Sequence, residues 1–169
     1  IPRVFDNTLV NSGGGTGYPK SSYILGIPIP SAVPTLVLGG GGAGVARTLA
    51  YVYTNVRKWA SGKVDEGAPS PANTIAAVLP GQLVTVSGFS AIPAGDYNIT
   101  HRRIYRASTG DYQFVAEITV ATANYGDTLL DTALGESLPS LEWNPPPDDM
   151  KGLIALPNGV MAGFSGNEL

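Results

Sequence analysis

Cysteine is absent from the chain, so neither a disulfide nor a cysteine-based metal site can contribute to its stability or chemistry. Histidine occurs once, as His101, and Arg102 and Arg103 follow it directly, where their charge disfavours both a protonated imidazole and a bound cation. Charged residues are only 14% of the chain, with a net charge of −3 and a pI near 5.0, which excludes a general electrostatic attraction to nucleic acid. No apolar run approaches the ~20 residues a helix needs to cross a bilayer, so no membrane span is expected. Glycine and proline, by contrast, are abundant at 22 and 14 of 169 residues. Together they exceed the usual ~12% and disfavour long helices.

The chain divides at its turn-forming stretches. Residues 1–31 read as an extended arm and strap: Asn11 to Gly17 is too polar and glycine-rich to bury apolar surface, and Tyr23-Ile24-Leu25-Gly26-Ile27-Pro28-Ile29-Pro30 is apolar but held extended by its prolines. Residues 32–141 carry a series of short strands at Val33–Leu38, Arg47–Arg57, Asn73–Val78, Leu83–Val86, Ile99–Ala107 and Tyr112–Val120, closed by Tyr125-Gly126-Asp127-Thr128. Turn residues such as Ser61-Gly62, Pro80-Gly81 and Gly110-Asp111 separate them, which is the pattern of an all-β sandwich. In the last hairpin, Tyr112, Phe114, Ala116 and Ile118 form one expected face. Residues 142–150 contain Trp143-Asn144-Pro145-Pro146-Pro147, a stiff extended linker. In residues 151–169 an Asn158-Gly159 turn between apolar runs predicts a hairpin that begins a second, incomplete β-domain. The opening Ile1 and the unfinished pattern from Val160 to Leu169 suggest a piece of a longer protein.

Gly39, Gly41 and Gly44 match the glycine spacing of a dinucleotide-binding loop, with Asp65 or Glu66 about twenty residues on. That site requires a helix after the glycines. Tyr51-Val52-Tyr53-Thr54 instead offers aromatic and β-branched residues that crowd a helix and fit a pleated sheet. The glycine run is therefore expected to be a mobile turn, open to contact with an adjacent subunit, and no cofactor is expected.

Other chemistry is equally sparse. Gly88-Phe89-Ser90-Ala91-Ile92 and Gly163-Phe164-Ser165-Gly166 both fail the nucleophile-elbow pattern. Asp148 and Asp149 are adjacent on extended backbone, so their side chains diverge and cannot work as a paired acid and base. The arginines of His101-Arg102-Arg103-Ile104-Tyr105-Arg106 are expected to cover a sheet face and pair with acids on neighbouring strands.

Two sets of segments carry resemblances. Arg47 to Val56 followed by Asp65-Glu66-Gly67-Ala68-Pro69, with the Arg103-Ile104-Tyr105-Arg106 hairpin and Tyr125-Gly126-Asp127-Thr128, is similar to fibronectin type III-like modules, in a permuted order. Tyr23 to Pro30, Tyr51 to Thr54, Arg102 to Arg106, Trp143 to Asp149 and Leu156-Pro157-Asn158-Gly159-Val160-Met161 together resemble tail proteins of bacteriophages and prophages over most of residues 23–169. The resemblance implies an immunoglobulin- or fibronectin III-like sandwich in a noncatalytic virion component of tail-tube, nozzle or adaptor type. Such a component is made in the bacterial cytoplasm and assembles as a homo-oligomer with other tail proteins.

Candidate subunit or partner contacts are Tyr23, Leu25, Ile27, Trp59, Arg102, Arg103 and Trp143. The alternative is a module that binds a host-surface carbohydrate or receptor through exposed aromatics such as Trp59 and Tyr97. An enzyme ranks third, since a catalytic domain could lie outside these residues.

Overall fold

In a computed structural model of the chain, residues 3–5, 22–157 and 161–166 are described. The glycine-rich part of the arm at 11–17 and the Asn158-Gly159 turn lie outside the described residues. The strands are β1 (Arg3–Phe5), β2 (Ser22–Ile24), β3 (Thr35–Leu38), β4 (Arg47–Lys58), β5 (Val64–Pro69), β6 (Asn73–Val78), β7 (Val84–Ser87), β8 (His101–Ala107), β9 (Gln113–Thr119), β10 (Asn124–Asp127), β11 (Lys151–Ala155) and β12 (Met161–Phe164). Strands make up 44% of the structure, all their pairings are antiparallel, and no helix reaches seven residues. The chain is therefore all-β.

β4 is the axis of the molecule. Of its 12 residues, those from Ala50 opposite Ala107 to Val56 opposite His101 pair along one edge with β8. The other edge is shared between two strands: β6 lies against the first half and β5 against the second. Pro69 and Pro71 lack N–H groups and end one pairing before the next begins. Ser70 fills the gap, donating its N–H to Tyr53 O and accepting from Tyr53 N–H through Oγ at 3.1 Å. β9 completes a five-stranded sheet beside β8.

A second sheet, in the order β10-β7-β3, packs on this one. Leu49, Tyr51 and Tyr53 of β4 meet Val84 and Val86 of β7, with Val78, Ile104, Val115 and Ile118 completing the cluster. At ~1.5–3 kcal/mol for each large apolar side chain, this cluster is the main source of stability. The opposite face of β4 is covered too, because Val52 and Tyr105 pack with Leu138, Tyr112 and Phe114. Burial on both faces is why β4 runs apolar without simple alternation.

The expected Tyr112–Phe114–Ala116–Ile118 face is corrected by a β-bulge. The register slips between the pairs Ile104–Ala116 and Tyr105–Phe114, leaving Val115 as an extra residue. Phe114 consequently packs with Tyr105 on the outer face, while Val115 and Ile118 enter the inner core. The glycine run after β3 is laid against the Pro80-Gly81 turn, with Gly39 N–H bonded to Leu83 O, Leu83 N–H to Gly40 O, and Gln82 Nε2 to Gly39 O. These bonds anchor the start of the run, and residues 40–46 remain exposed.

Gly88 follows β7 with φ +72°, and a Cβ there would stand 2.5 Å from Thr35 Oγ1 on β3. The left-handed backbone alone costs a side chain about 1–2 kcal/mol. Gly88→Ala is expected to lower the urea midpoint by at least that free energy with the m-value unchanged.

Candidate functional site

The strap of residues 24–30 crosses the end of the sandwich where β4 gives way to β5. Pro28 and Pro30 deprive it of donors, so it cannot join the sheet as an ordinary strand. Side chains of β4 bind its carbonyls instead. Asn55 Nδ2 donates to Pro28 O at 2.9 Å, and Arg57 donates to Ile24 O at 2.9 Å and Leu25 O at 3.2 Å. Arg57 is 2% exposed and also reaches Tyr97 O and Asp65 Oδ2.

Asp65 has a second donor in Trp59, whose Nε1 lies 2.6 Å from Oδ2. The Arg57 guanidinium sits 4.7 Å over the Trp59 ring, and Tyr23 packs against the same indole at a centroid distance of 5.7 Å, tilted by 60°. Ile27 is buried against Gly67, where a Cβ would approach Ile27 Cγ2 to 2.7 Å, so only glycine admits the strap so close to β5. From above, the linker closes on the strap: Pro146 Cδ lies 3.0 Å from where a Gly26 Cβ would be. Ser140 Oγ donates to Gly67 O at 2.8 Å and fixes the start of that linker.

Hollows of about 420 and 330 Å³ flank the crossing of strap and linker. Ile29, Tyr97 and Pro147 line the first, and Trp143, Leu25 and Lys63 line the second.

The outer face of the large sheet carries a separate ionic cluster. Glu66 accepts from Thr54 and Tyr105 at 2.7 Å each and from Arg103 at 2.9 Å, and Arg103 also bonds Glu117 at 3.1 Å. Lys58 pairs with Glu117 as well. Burial and the Glu66 carboxylate push the Tyr105 hydroxyl well above its ordinary range. At the far end of the inner core, Asp127 is fully buried, accepting from Tyr51 OH at 2.7 Å and Arg106 at 2.6 Å. Arg106 continues to Asp131 at 2.9 Å, which Arg47 also engages.

For Asp65 and Glu117, burial raises the carboxyl pKa but is outweighed. Trp59, Lys63 and Arg57 hold Asp65 below the ordinary range, and Lys58 and Arg103 do the same for Glu117. A carboxyl lowered by folding contributes stability that is complete above its unfolded pKa and lost as pH falls through its folded value. The unfolding free energy is therefore expected to be flat through neutrality and to fall on acidification below about pH 4, the unfolded carboxylate range. Denaturant titrations across pH check this; a maximum at low pH would contradict it.

The structure brings Tyr23, Leu25, Ile27 and Trp59 together at the strap, with Trp143 beside them and 53% exposed. Arg103 lies on the outer face, and Arg102 is 4% exposed at the edge of the inner core. Trp59 is corrected as an exposed aromatic: it is 7% exposed, because its indole N–H must reach Asp65 and its ring must lie under Arg57. Tyr97 is half-buried.

Sequence reasoning missed Arg57 as the organiser of the strap. Its one available signal was position, since it shares the inward parity of Tyr51 and Tyr53 on β4. Among the described residues no three His, Asp or Glu side chains converge as metal ligands, and no helix is long and apolar enough to cross a membrane. No protein-family model, curated protein or solved structure matches the chain.

Proposed function

We propose that the chain is a noncatalytic structural component of a bacteriophage tail, joining a ring or tube through contacts with copies of itself and with other tail proteins. One observation carries the assembly half of this reading. β11 and β12 form a two-stranded sheet of their own, with Ile154 53%, Leu156 41% and Phe164 39% exposed. Two strands alone are marginally stable in water, and apolar side chains on such a hairpin call for a covering surface. A neighbouring subunit supplies one. The tail half of the reading rests on the resemblance of the strap, linker and hairpin segments.

The sandwich is read more finely as immunoglobulin- or fibronectin III-like. The three-stranded β10-β7-β3 sheet facing the β5-β4-β8-β9 path about one core supports this. The alternative of host-surface binding now rests on Trp143 rather than Trp59, since Trp143 is the exposed indole beside a hollow. Glycan binding lost on Trp143→Ala would favour it. Native mass spectrometry of the intact protein is expected to give a closed, ring-sized oligomer, and a strict monomer at all concentrations would count against assembly.

A further inference from the structure

A third hollow, of about 380 Å³, lies away from the strap between residues 88–91 and 120–123, and Arg102 forms part of its wall. Among the described residues Arg102 is the one core-edge arginine without an acid. Arg57 has Asp65, Arg103 has Glu66 and Glu117, and Arg106 has Asp127 and Asp131. Arg102 instead spends two of the five donors a guanidinium carries on the carbonyls of Val120 and Ser90, each at 2.8 Å. Its Nε is buried and has no acceptor.

Carbonyls satisfy donors but do not neutralise charge. The cross-strand neighbour Asn55 carries an unpaired Oδ1, which is neutral as well. A cation that is 4% exposed with no counter-charge is costly, because buried charges normally persist only when paired. Burial holds the Arg102 guanidinium below its ordinary range, and only Tyr53 opposes this; carboxylates hold Arg103 and Arg106 above theirs.

The surroundings suit an anion with a flat apolar side. Phe89 lies 5.4 Å under the guanidinium, and Ala91, Ala121 and Ala123 line the hollow. Ser90 Oγ stands at the rim with Tyr53, whose hydroxyl lies 3.1 Å from it, 3.0 Å from Ala32 O and accepts from Ser90 N–H at 2.8 Å.

We propose that this hollow is a carboxylate-binding site in which Arg102 supplies the fork of donors. A planar carboxylate matches a guanidinium edge with two parallel hydrogen bonds. The site stands independently of the tail reading, which bears only on where the carboxylate comes from. It could belong to a small organic acid, or to an acidic side chain of a second copy, whose Asp111, Glu136, Glu142 and Asp148 are exposed.

The test follows the Arg102 Nε–H resonance in ¹⁵N-labelled protein, identified by its loss in Arg102→Met. Sodium acetate is expected to shift this resonance saturably, with sodium chloride at equal ionic strength leaving it in place. Acetate should also raise the thermal midpoint of the wild type and not of Arg102→Met, as for any ligand that binds only the folded state. If acetate has no effect but the resonance moves with protein concentration in step with sedimentation, the carboxylate is that of a second copy. No response to either, or an equal response to chloride, overturns the proposal. Should Arg102→Met fail to fold, sequential assignment of the wild type leaves the titration decisive.

Discussion

Asp127→Ala is expected to destabilise the fold by about 3–5 kcal/mol, the usual cost of leaving one member of a buried ion pair without its partner. Asp127 is fully buried and takes hydrogen bonds from Tyr51 OH, Arg106 and the Leu129 N–H. Its removal leaves the 2% exposed Arg106 with only the half-buried Asp131 as counter-charge. Tyr51 is affected in the same step, because its hydroxyl, raised by burial and by Asp127, loses its acceptor. The double variant Asp127→Leu/Arg106→Met removes both charges and is expected to recover most of the loss. Chemical denaturation of Asp127→Leu, Arg106→Met and the double variant checks the cycle. If the double variant loses the sum of the single losses, the pair is not coupled and the account of this end of the core is wrong.

Arg57→Ala is the second large effect, at about 2–4 kcal/mol; it is smaller than for a fully buried pair because Asp65 keeps some contact with solvent. The loss falls on a specific element. Ile24 O, Leu25 O and Tyr97 O all lose their donor, and Trp59 loses the cation above its ring. Backbone amides of residues 24–27 are expected to exchange with solvent far faster than in the wild type, while those of β8 keep their protection. Arg57→Lys should fall between the two, since an ammonium cannot serve three carbonyls and a carboxylate at once. Unchanged protection of the strap in Arg57→Ala would mean that Ile27 and the proline linker hold it without help.

The strands were largely legible because each announces itself locally. Tyr51-Val52-Tyr53-Thr54 excludes a helix by crowding, and the Pro80-Gly81 turn is seen where its residues require it. What was not legible depends on partners distant in sequence. Nothing local marks the slip at Val115, so a face read at period two placed Phe114 on the wrong side. Trp59 resembles an exposed binding aromatic until Tyr23, 36 positions earlier by number, and Asp65 are seen against it.

The faces of the arginines were hidden in the same way. From sequence, Arg102, Arg103 and Arg106 are expected to cover one sheet face and pair with acids. Arg103 and Arg106 do pair, but Arg102 and Arg106 face inward with Ile104, because their register against Asn55 and Tyr51 puts them on the core side of β8. The distinction between Arg106, which finds Asp127, and Arg102, which finds only carbonyls, requires the second sheet and its loops to be in place. The anchoring of the glycine run was hidden for a comparable reason, since its partner is a turn about forty residues downstream.

The central claim, that this sandwich is a building part of a phage tail, is tested most directly by cryo-electron microscopy of particles from a host that produces the intact protein. The account predicts density for the sandwich repeated in a ring about the tail axis, with β11 and β12 covered by a neighbouring subunit. Particles that lack the protein, or a ring in which Ile154 and Phe164 still face solvent, would contradict it.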